Sequence, residues 1–442
     1  MIFVAPTQPG EERFLYTAMA LCRSRNRILL SITFSLLFIL SFFQLRYAAD
    51  QIKSAPPLTA DHEVVVVKNW SWDPQRDRDN HSLSSEQCSS AFPLLYQEID
   101  RAQNYWRSRS EDGNANITSE TIDLEWSVDG GLRCMIYEQN LYIIESRGLN
   151  HFGHWSERHR AILGSIQRAI LTAREPVPNI EFSIKINDDV NLTGDNKDIT
   201  LWAFSRNIFD PIQRQLWVIP DFNFWAYPRV AGSFNSFQRQ ALQTGDSYRA
   251  KLSKLVWRGT SQFNPKIRNS LLQQSRGKPW SDVVALDEDT LTKSHLSSED
   301  QCRYKFAAHT EGTSWSGRLK YLLSCNSVIF IHPLKYYTHL YHLLEPTGTQ
   351  QNYVPVKLDW SDLGSKVQEM IDDEDKAATI ASNARSVFRD RYLTPAAQTC
   401  YFRRLFHAWR DVAFEPETYE LVPSKTGQPV KRIRGIPYEE YM

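Results

Sequence analysis

Apolar positions along this chain recur with two periods in alternation. Residues 154–174 carry them at helical spacing, and 180–186 alternates as a strand. Short apolar runs at 216–219, 255–257, 283–286 and 328–331 read as further strands. Residues 265–274, 317–323, 336–344, 360–371, 374–392 and 395–412 read as helices. Helices alternating with short apolar strands predict an α/β fold with parallel layers. Two such sets would place a site in the cleft between them, near strand carboxyl ends. No internal repeat is visible.

The N-terminus breaks this pattern. Residues 28–45 are apolar apart from scattered Ser, Thr and one Gln, and Arg23, Arg25 and Arg27 precede them, with Arg13 further back. The run is at the short end of what spans a bilayer. Its flanking arginines predict a cytoplasmic tail at 1–27, a signal anchor at 28–45 and a lumenal bulk. The competing reading is a cleaved signal peptide ending near Ala48-Ala49. Residues 46–85 are polar, with Pro56, Pro57 and Pro74, and read as a stem. The rest divides into 86–245, 246–394 and a closing segment 395–442.

Lumenal placement changes what the asparagines and cysteines mean. Sequons at Asn69, Asn80, Asn116 and Asn191 follow the anchor. Of six cysteines, Cys22 precedes the anchor, leaving five in an oxidising space. A bridge between Cys302 and Cys325 would brace the segment between them, and Cys88–Cys400 could join the start of the fold to its end. Cys134, in an apolar strand-like run, reads as a buried free thiol. The chain ends Glu439-Glu440-Tyr441-Met442, without an ER-retention tail, which favours a Golgi membrane over the ER.

Composition excludes little. The 442 residues are 42% hydrophobic, enough for large cores, and 51 basic residues balance 51 acidic ones. Zero net charge argues against nonspecific nucleic-acid binding. There is no Gly-x-Gly-x-x-Gly, P-loop or Gly-x-Ser-x-Gly, so dinucleotide, ATPase and esterase chemistry lack their usual signatures.

Two segments carry candidate chemistry for a diphosphate. Arg258 follows a strand and precedes Gly259-Thr260, with Arg268 beyond. Glycine admits a ligand to the backbone, and guanidinium matches phosphate oxygens. Gly312-Thr313-Ser314-Trp315-Ser316-Gly317-Arg318 puts small residues before a helix, where amide N–H groups favour anions. The plainer readings are a surface arginine at Arg258 and a helix capped by Ser314 or Ser316.

Upstream, Asp188 in Asn187-Asp188-Asp189 follows a strand end, where it could take a proton from a hydroxyl. The same triplet could be a turn or a weak carboxylate pair for a cation. His151 and His154 permit metal ligation but have no third ligand in view, and structural roles are favoured. The cluster Phe222-Asn223-Phe224-Trp225 with Tyr227 could stack on sugars, though core packing is the simpler role.

These landmarks, in order from about Arg160 to Arg404, resemble glycosyltransferase family 90 in a fungal-type form. This capsule-associated family includes the Rumi-type protein O-glucosyltransferases. The resemblance rests on the strand ending at Asp188, Trp202-Ala203-Phe204-Ser205, Phe222-Asn223-Phe224-Trp225 and Trp257-Arg258-Gly259-Thr260. It continues through Cys302-Arg303-Tyr304-Lys305-Phe306, Ser316-Gly317-Arg318-Leu319-Lys320-Tyr321-Leu322, Tyr353-Val354-Pro355-Val356 and Thr399-Cys400-Tyr401.

It implies a GT-B-like fold of two Rossmann-like domains, a UDP-sugar donor and inversion at the anomeric carbon. Asp188 would then be the general base, Arg258 and Arg318 would hold the diphosphate with the amides of Thr313, Ser314, Trp315 and Ser316, and Cys302–Cys325 would be a disulfide. No metal or other cofactor is expected. The acceptor would be a glycan or glycoprotein, and the donor sugar xylose or glucose. Asn187 and Asp189 depart from the glucosyltransferase pattern, as does the segment after Gly259. The alternative is an inactive, membrane-anchored sugar-binding or scaffolding protein of the same fold. Asn191 lies three residues from Asp188 and is expected to be unmodified; a glycopeptide map showing it occupied would weaken Asp188 as the base.

Overall fold

The first sheet is built around a hairpin. In the computed structural model, β1 (Gly131–Tyr137) and β2 (Asn140–Arg147) pair antiparallel across Glu138 and Gln139, which take φ of 47° and 64°. Two left-handed residues in a two-residue loop match the twist of the flanking strands. β1 then pairs antiparallel with β3 (Ile180–Lys185), while β3, β4 (Trp202–Ala203) and β5 (Trp217–Val218) run parallel. The expected all-parallel layer is therefore mixed in this half. The tight turn at 138–139 is too short for the crossover that a parallel neighbour needs.

The second sheet is wholly parallel. β6 (Leu252–Gly259), β7 (Ser281–Ala285), β8 (Tyr304–His309), β9 (Val328–Ile331) and β10 (Val354–Pro355) lie in the order β7-β6-β8-β9-β10. The chain leaves β6 in one direction to form β7 and returns on the other side to form β8. The crevice outside the carboxyl ends of β6 and β8 is thus the topological switch point. β8 escaped the sequence reading because Lys305 interrupts a run that ends in Ala307-Ala308, residues of weak strand preference.

Helices cover these sheets. In the first half these are α1 (Ser85–Ala91), closed by a Ser84/Gln87 capping box, α2 (Gln97–Arg107) and α3 (Gly153–Leu171). In the second they are α4 (Pro265–Ser275), α5 (Arg318–Leu323) and α6 (Glu374–Ala384). α7 (Pro395–Arg410) returns to the first sheet, beside α1, α2 and α3. Its Trp409 meets Trp202 and Trp217 edge-on and donates from Nε1 to the Glu181 carbonyl at 2.9 Å, while Trp202 stacks on Phe182 at 3.7 Å. β11 (Ile436–Pro437) adds to the free edge of β2.

The helix expected over 336–344 is absent. Tyr336–Tyr337 instead pairs antiparallel with Arg206–Asn207, and a single 3-10 turn follows at Tyr341–Leu343. Aromatic and aliphatic residues in that run are interrupted by Thr338, His339 and His342 with no clean period, so its spacing could not separate helix from strand.

Residues 70–442 are described apart from 110–116, 150–152, 193, 229, 245–246, 288–289 and 425–426. The anchor at 28–45, most of the stem, His151, Asn69 and Asn116 lie outside them. Among the described residues no helix is long and apolar enough to cross a membrane. Residues 70–85, read as the end of the stem, belong to the folded body. Trp72 packs edge-on against Phe92 at 4.8 Å, and the short helix Pro74–Asp77 is capped by Asp73. Aromatic residues among polar ones decide this, outweighing the composition around them. Both expected disulfides form, Cys88–Cys400 and Cys302–Cys325. Cys134 is free and buried, and burial pushes its thiol pKa up.

Candidate active site

β6 enters the core as its burial rises toward the carboxyl end, so Trp257 and Arg258 fall on opposite faces just before the switch point. On one face the Trp257 ring lies near two guanidinium groups, Arg268 at 6.0 Å and Arg318 at 5.5 Å from its centroid. Its Nε1 donates to Thr310 Oγ1 at 3.2 Å. Gly259 makes the approach possible: a Cβ there would stand 2.9 Å from Trp257 Cζ2 and 3.1 Å from Arg318 Nη2.

The three arginines differ in what they hold. Arg258 is nearly buried and committed. Its Nε donates to Ser294 O at 2.7 Å, Nη1 to Asp282 O at 2.6 Å and Nη2 to Asp282 Oδ1 at 2.8 Å. Tyr304 OH holds the other Asp282 oxygen. Arg258 lines the cavity, but it is fixed there by Asp282.

Among the described residues, Arg268 and Arg318 contact no carboxylate. Arg268 gives Nε to Glu311 O at 3.1 Å and Nη1 to Thr260 O at 2.6 Å, and burial lowers its pKa to about 10. Arg318 Nη1 is buried without a hydrogen-bond partner, and burial, then Arg268, lowers the group's pKa to about 9. Two buried, neighbouring cations with no ion-pair partner among the described residues are costly unless an anion joins them.

The run 312–317 wraps this pair. Gly312 N bonds Ser314 O at 3.0 Å, closing a tight turn. Gly317, not Ser314 or Ser316, caps α5, and it makes no side-chain cap bond. A Cβ on Gly317 would meet Asn223 Nδ2 at 2.8 Å. α5 has only six residues, so its dipole is slight and the positive field here comes mainly from the arginines. Thr313, Trp315, Ser316 and Arg318 line the cavity; Ser314 is fully buried and does not.

Asp188 faces the same cavity from the other half. It follows β3 by three residues, and its side chain is half exposed. Arg158 of α3 holds its Oδ1 at 2.8 Å and also donates to Ile186 O at 3.2 Å. Arg158 itself is stacked over Phe222 at 4.5 Å and lies 5.9 Å from Tyr227. The aromatic cluster therefore both packs the core and steadies the arginine that orients Asp188. Asn187 points away, donating to Asp129 Oδ1 at 2.9 Å, and Asp189 is partly buried, its pKa raised by that burial. The cavity encloses about 320 Å³. Among the described residues no group of three or more His, Cys, Asp or Glu is arranged to hold a metal.

A buried ion pair pins the two halves beside the cavity. Lys320 Nζ meets both Asp221 oxygens at 2.9 Å, with each side chain almost wholly buried. Lys320→Met alone should cost about 3–5 kcal/mol by stranding the Asp221 carboxylate. Lys320→Met with Asp221→Asn, which keeps an oxygen for Asn223 N, should recover much of that in chemical denaturation; a double variant no more stable than the single would mean that the pair is not the origin of the loss.

The family profile for glycosyl transferase family 90 matches residues 85–419, well over half the chain. This chain belongs to glycosyl transferase family 90. It is 28% identical to protein O-glucosyltransferase 2 of Danio rerio over 55% of this chain and 49% of that protein. It is 26% identical to protein O-glucosyltransferase 3 of Homo sapiens over 57% and 52%. With protein O-glucosyltransferase 1 of Rattus norvegicus it shares 24% identity over 59% and 71%. The chain spans about half the length of the first two.

For this family 90 chain, sequence reasoning named Asp188, Arg258 and Arg318, noted Arg268 beside Arg258 without a role of its own, and passed over Arg158, Asp221 and Lys320. Each of these last four is at least nine-tenths buried. Arg158 and Arg268 betray themselves only as charges on the apolar face of a helix, Arg158 between Trp155 and Ile162, and Arg268 between Ile267 and Leu271.

Proposed function

We propose that this protein is an inverting glycosyltransferase that moves xylose or glucose from a UDP-sugar to a hydroxyl of a glycan or glycoprotein. The observation that carries the reading is the juxtaposition of two uncompensated guanidinium groups and one open carboxylate on opposite walls of a single cavity. The two halves, 86–245 and 246–394, are read as the GT-B-like pair of Rossmann-like domains, with 395–442 packing back on the first. Relatives named protein O-glucosyltransferases support a protein acceptor.

In this mechanism Asp188 takes the proton of the acceptor hydroxyl as its oxygen attacks the anomeric carbon. The bond from that carbon to the diphosphate breaks on the opposite face, and the charge gathering on UDP falls on Arg318 and Arg268. Arg258 acts as a fixed wall of the diphosphate subsite, leaving the uncompensated charge to the other two. Two guanidinium groups supply the charge that a divalent cation would otherwise bring, so we read the reaction as metal-independent. The setting is the secretory-pathway lumen, with residues 28–45 as a single-pass anchor and the Golgi as the compartment, the ER being the alternative.

The direct test is UDP release by the lumenal part, residues 46–442, against a panel of UDP-sugars with and without EDTA. Release from one donor, unchanged by EDTA, supports the reading and names the sugar. No release combined with no thermal stabilisation by UDP would overturn it in favour of a non-catalytic binding protein.

A further inference from the structure

In the run from Gly312 to Arg318, six residues line the cavity and Ser314 alone does not. Ser314 is fully buried, and its hydroxyl donates to the main-chain carbonyl of Asp188, 126 positions away. We propose that Ser314 is a positioning residue that couples occupancy of the anion subsite to the placement of the Asp188 carboxylate. This rests on the reading of Asp188 as the base and of Arg268 and Arg318 as the diphosphate ligands.

Hydrogen bonds from the first half also place this segment. Ile186 N bonds Gly130 O at 2.9 Å, and Arg158 grips Ile186 O and Asp188 Oδ1. Ser314 adds a contact from the second half, and it ends on the backbone of the base itself. At the other end of the connection, Gly312 N closes on Ser314 O, and a Cβ on Gly312 would stand 3.2 Å from Arg268 Nη2. Arg268 Nε also donates to Glu311 O at 3.1 Å, next to Gly312, so a shift of Arg268 toward a bound diphosphate pulls on the turn that carries Ser314. Packed groups of this kind transmit small displacements instead of absorbing them.

The consequence is a coupling between two ligands. Diphosphate binding tightens the turn, the turn fixes the Asp188 backbone, and the carboxylate is held at its working distance from the acceptor oxygen. A misplacement of about 1 Å at such a group can cost on the order of 10²-fold in rate. Reciprocity requires that an acceptor seated against Asp188 raise the affinity for UDP by the same factor that UDP raises the affinity for the acceptor.

The test compares the parent protein with Ser314→Ala and Ser314→Thr, using UDP titration calorimetry, donor turnover, and amide hydrogen exchange at 186–190 with and without UDP. Ser314→Ala should keep UDP affinity within about threefold and lose at least about tenfold in kcat, and Ser314→Thr, which retains a hydroxyl, should regain most of that rate. UDP should slow exchange at 186–190 in the parent protein and not in Ser314→Ala. If the alanine variant lowers affinity and kcat in proportion, or alters neither, the coupling is wrong. It is equally wrong if UDP binds the parent protein without protecting 186–190, a result that does not depend on any variant folding. A parent protein that binds no UDP overturns the coupling and the transferase reading together, whereas binding and turnover without coupling overturn only the former.

Discussion

Asp188→Asn should lower sugar transfer by a factor of about 10³, the range that removing a positioned general base produces, while leaving UDP affinity within about twofold. The substitution is nearly isosteric. Its amide oxygen can still accept from Arg158 Nη1, and its backbone carbonyl can still accept from Ser314, so the geometry survives and only the proton acceptor is lost. The diphosphate side is untouched because neither Arg268 nor Arg318 bonds Asp188. Asp189→Asn is the control. That carboxylate is adjacent in sequence but does not line the cavity, and its loss should leave transfer within a few-fold of the parent. Steady-state kinetics with calorimetric UDP titration decides the matter. Transfer above a tenth of the parent rate in Asp188→Asn, or equal losses in the two variants, would remove Asp188 from the role of base.

Much of the fold was legible in the sequence, and the reasons for the rest are specific. The strand at Val328–Ile331 was readable to the residue because four apolar side chains, buried on both faces, are bounded by Ser327 and His332-Pro333. The helix after Gly317 was readable because small residues precede a short, helically spaced apolar run. The mixed first sheet could not be read, since β1 and β2 are joined by Glu138-Gln139, a pair with none of the Asn-Gly signature that announces such a hairpin.

Two of the named residues carry long-range ties that the sequence does not announce. Arg258 was singled out for its neighbours Gly259 and Thr260, but its partner Asp282 is 24 positions away on the next strand. Ser314, expected to offer its amide to phosphate, also has a hydroxyl that donates to a carbonyl from the other half of the molecule. Local pattern reports which residues could bind an anion. Which of them remain uncommitted is decided by long-range partners that no local window contains.

That distinction leads to an expectation that separates a binding arginine from a structural one. Arg318→Met should weaken UDP binding by about 10²-fold, as expected for losing a charge-assisted contact in a largely desolvated place. The same change should leave the free protein at least as stable as its parent. A structural arginine such as Arg403, which donates to the carbonyls of Ala169 and Leu83 at 3.0 Å, would instead destabilise when truncated. Arg318 has less to lose, because its Nη1 is buried without a partner and Arg268 repels it, leaving its contact with the Trp257 ring.

The pH dependence follows with a definite sign. Burial lowers the pKa of Arg318 to about 9 and of Arg268 to about 10. Below about 9 both are charged, the stability cost of burying Arg318 is present in full, and UDP should bind. As pH rises through that value the folded protein releases a proton that the unfolded chain keeps. This contribution to stability then improves while UDP affinity falls. Bound UDP should hold the protons on, so saturating nucleotide raises the melting temperature most near neutral pH and progressively less above about 9. Differential scanning fluorimetry of the parent and Arg318→Met, with and without UDP from pH 7 to 10, reads all of this at once. A variant that melts several degrees lower and still gains stability from UDP would show that Arg318 holds the fold and that the diphosphate is bound elsewhere.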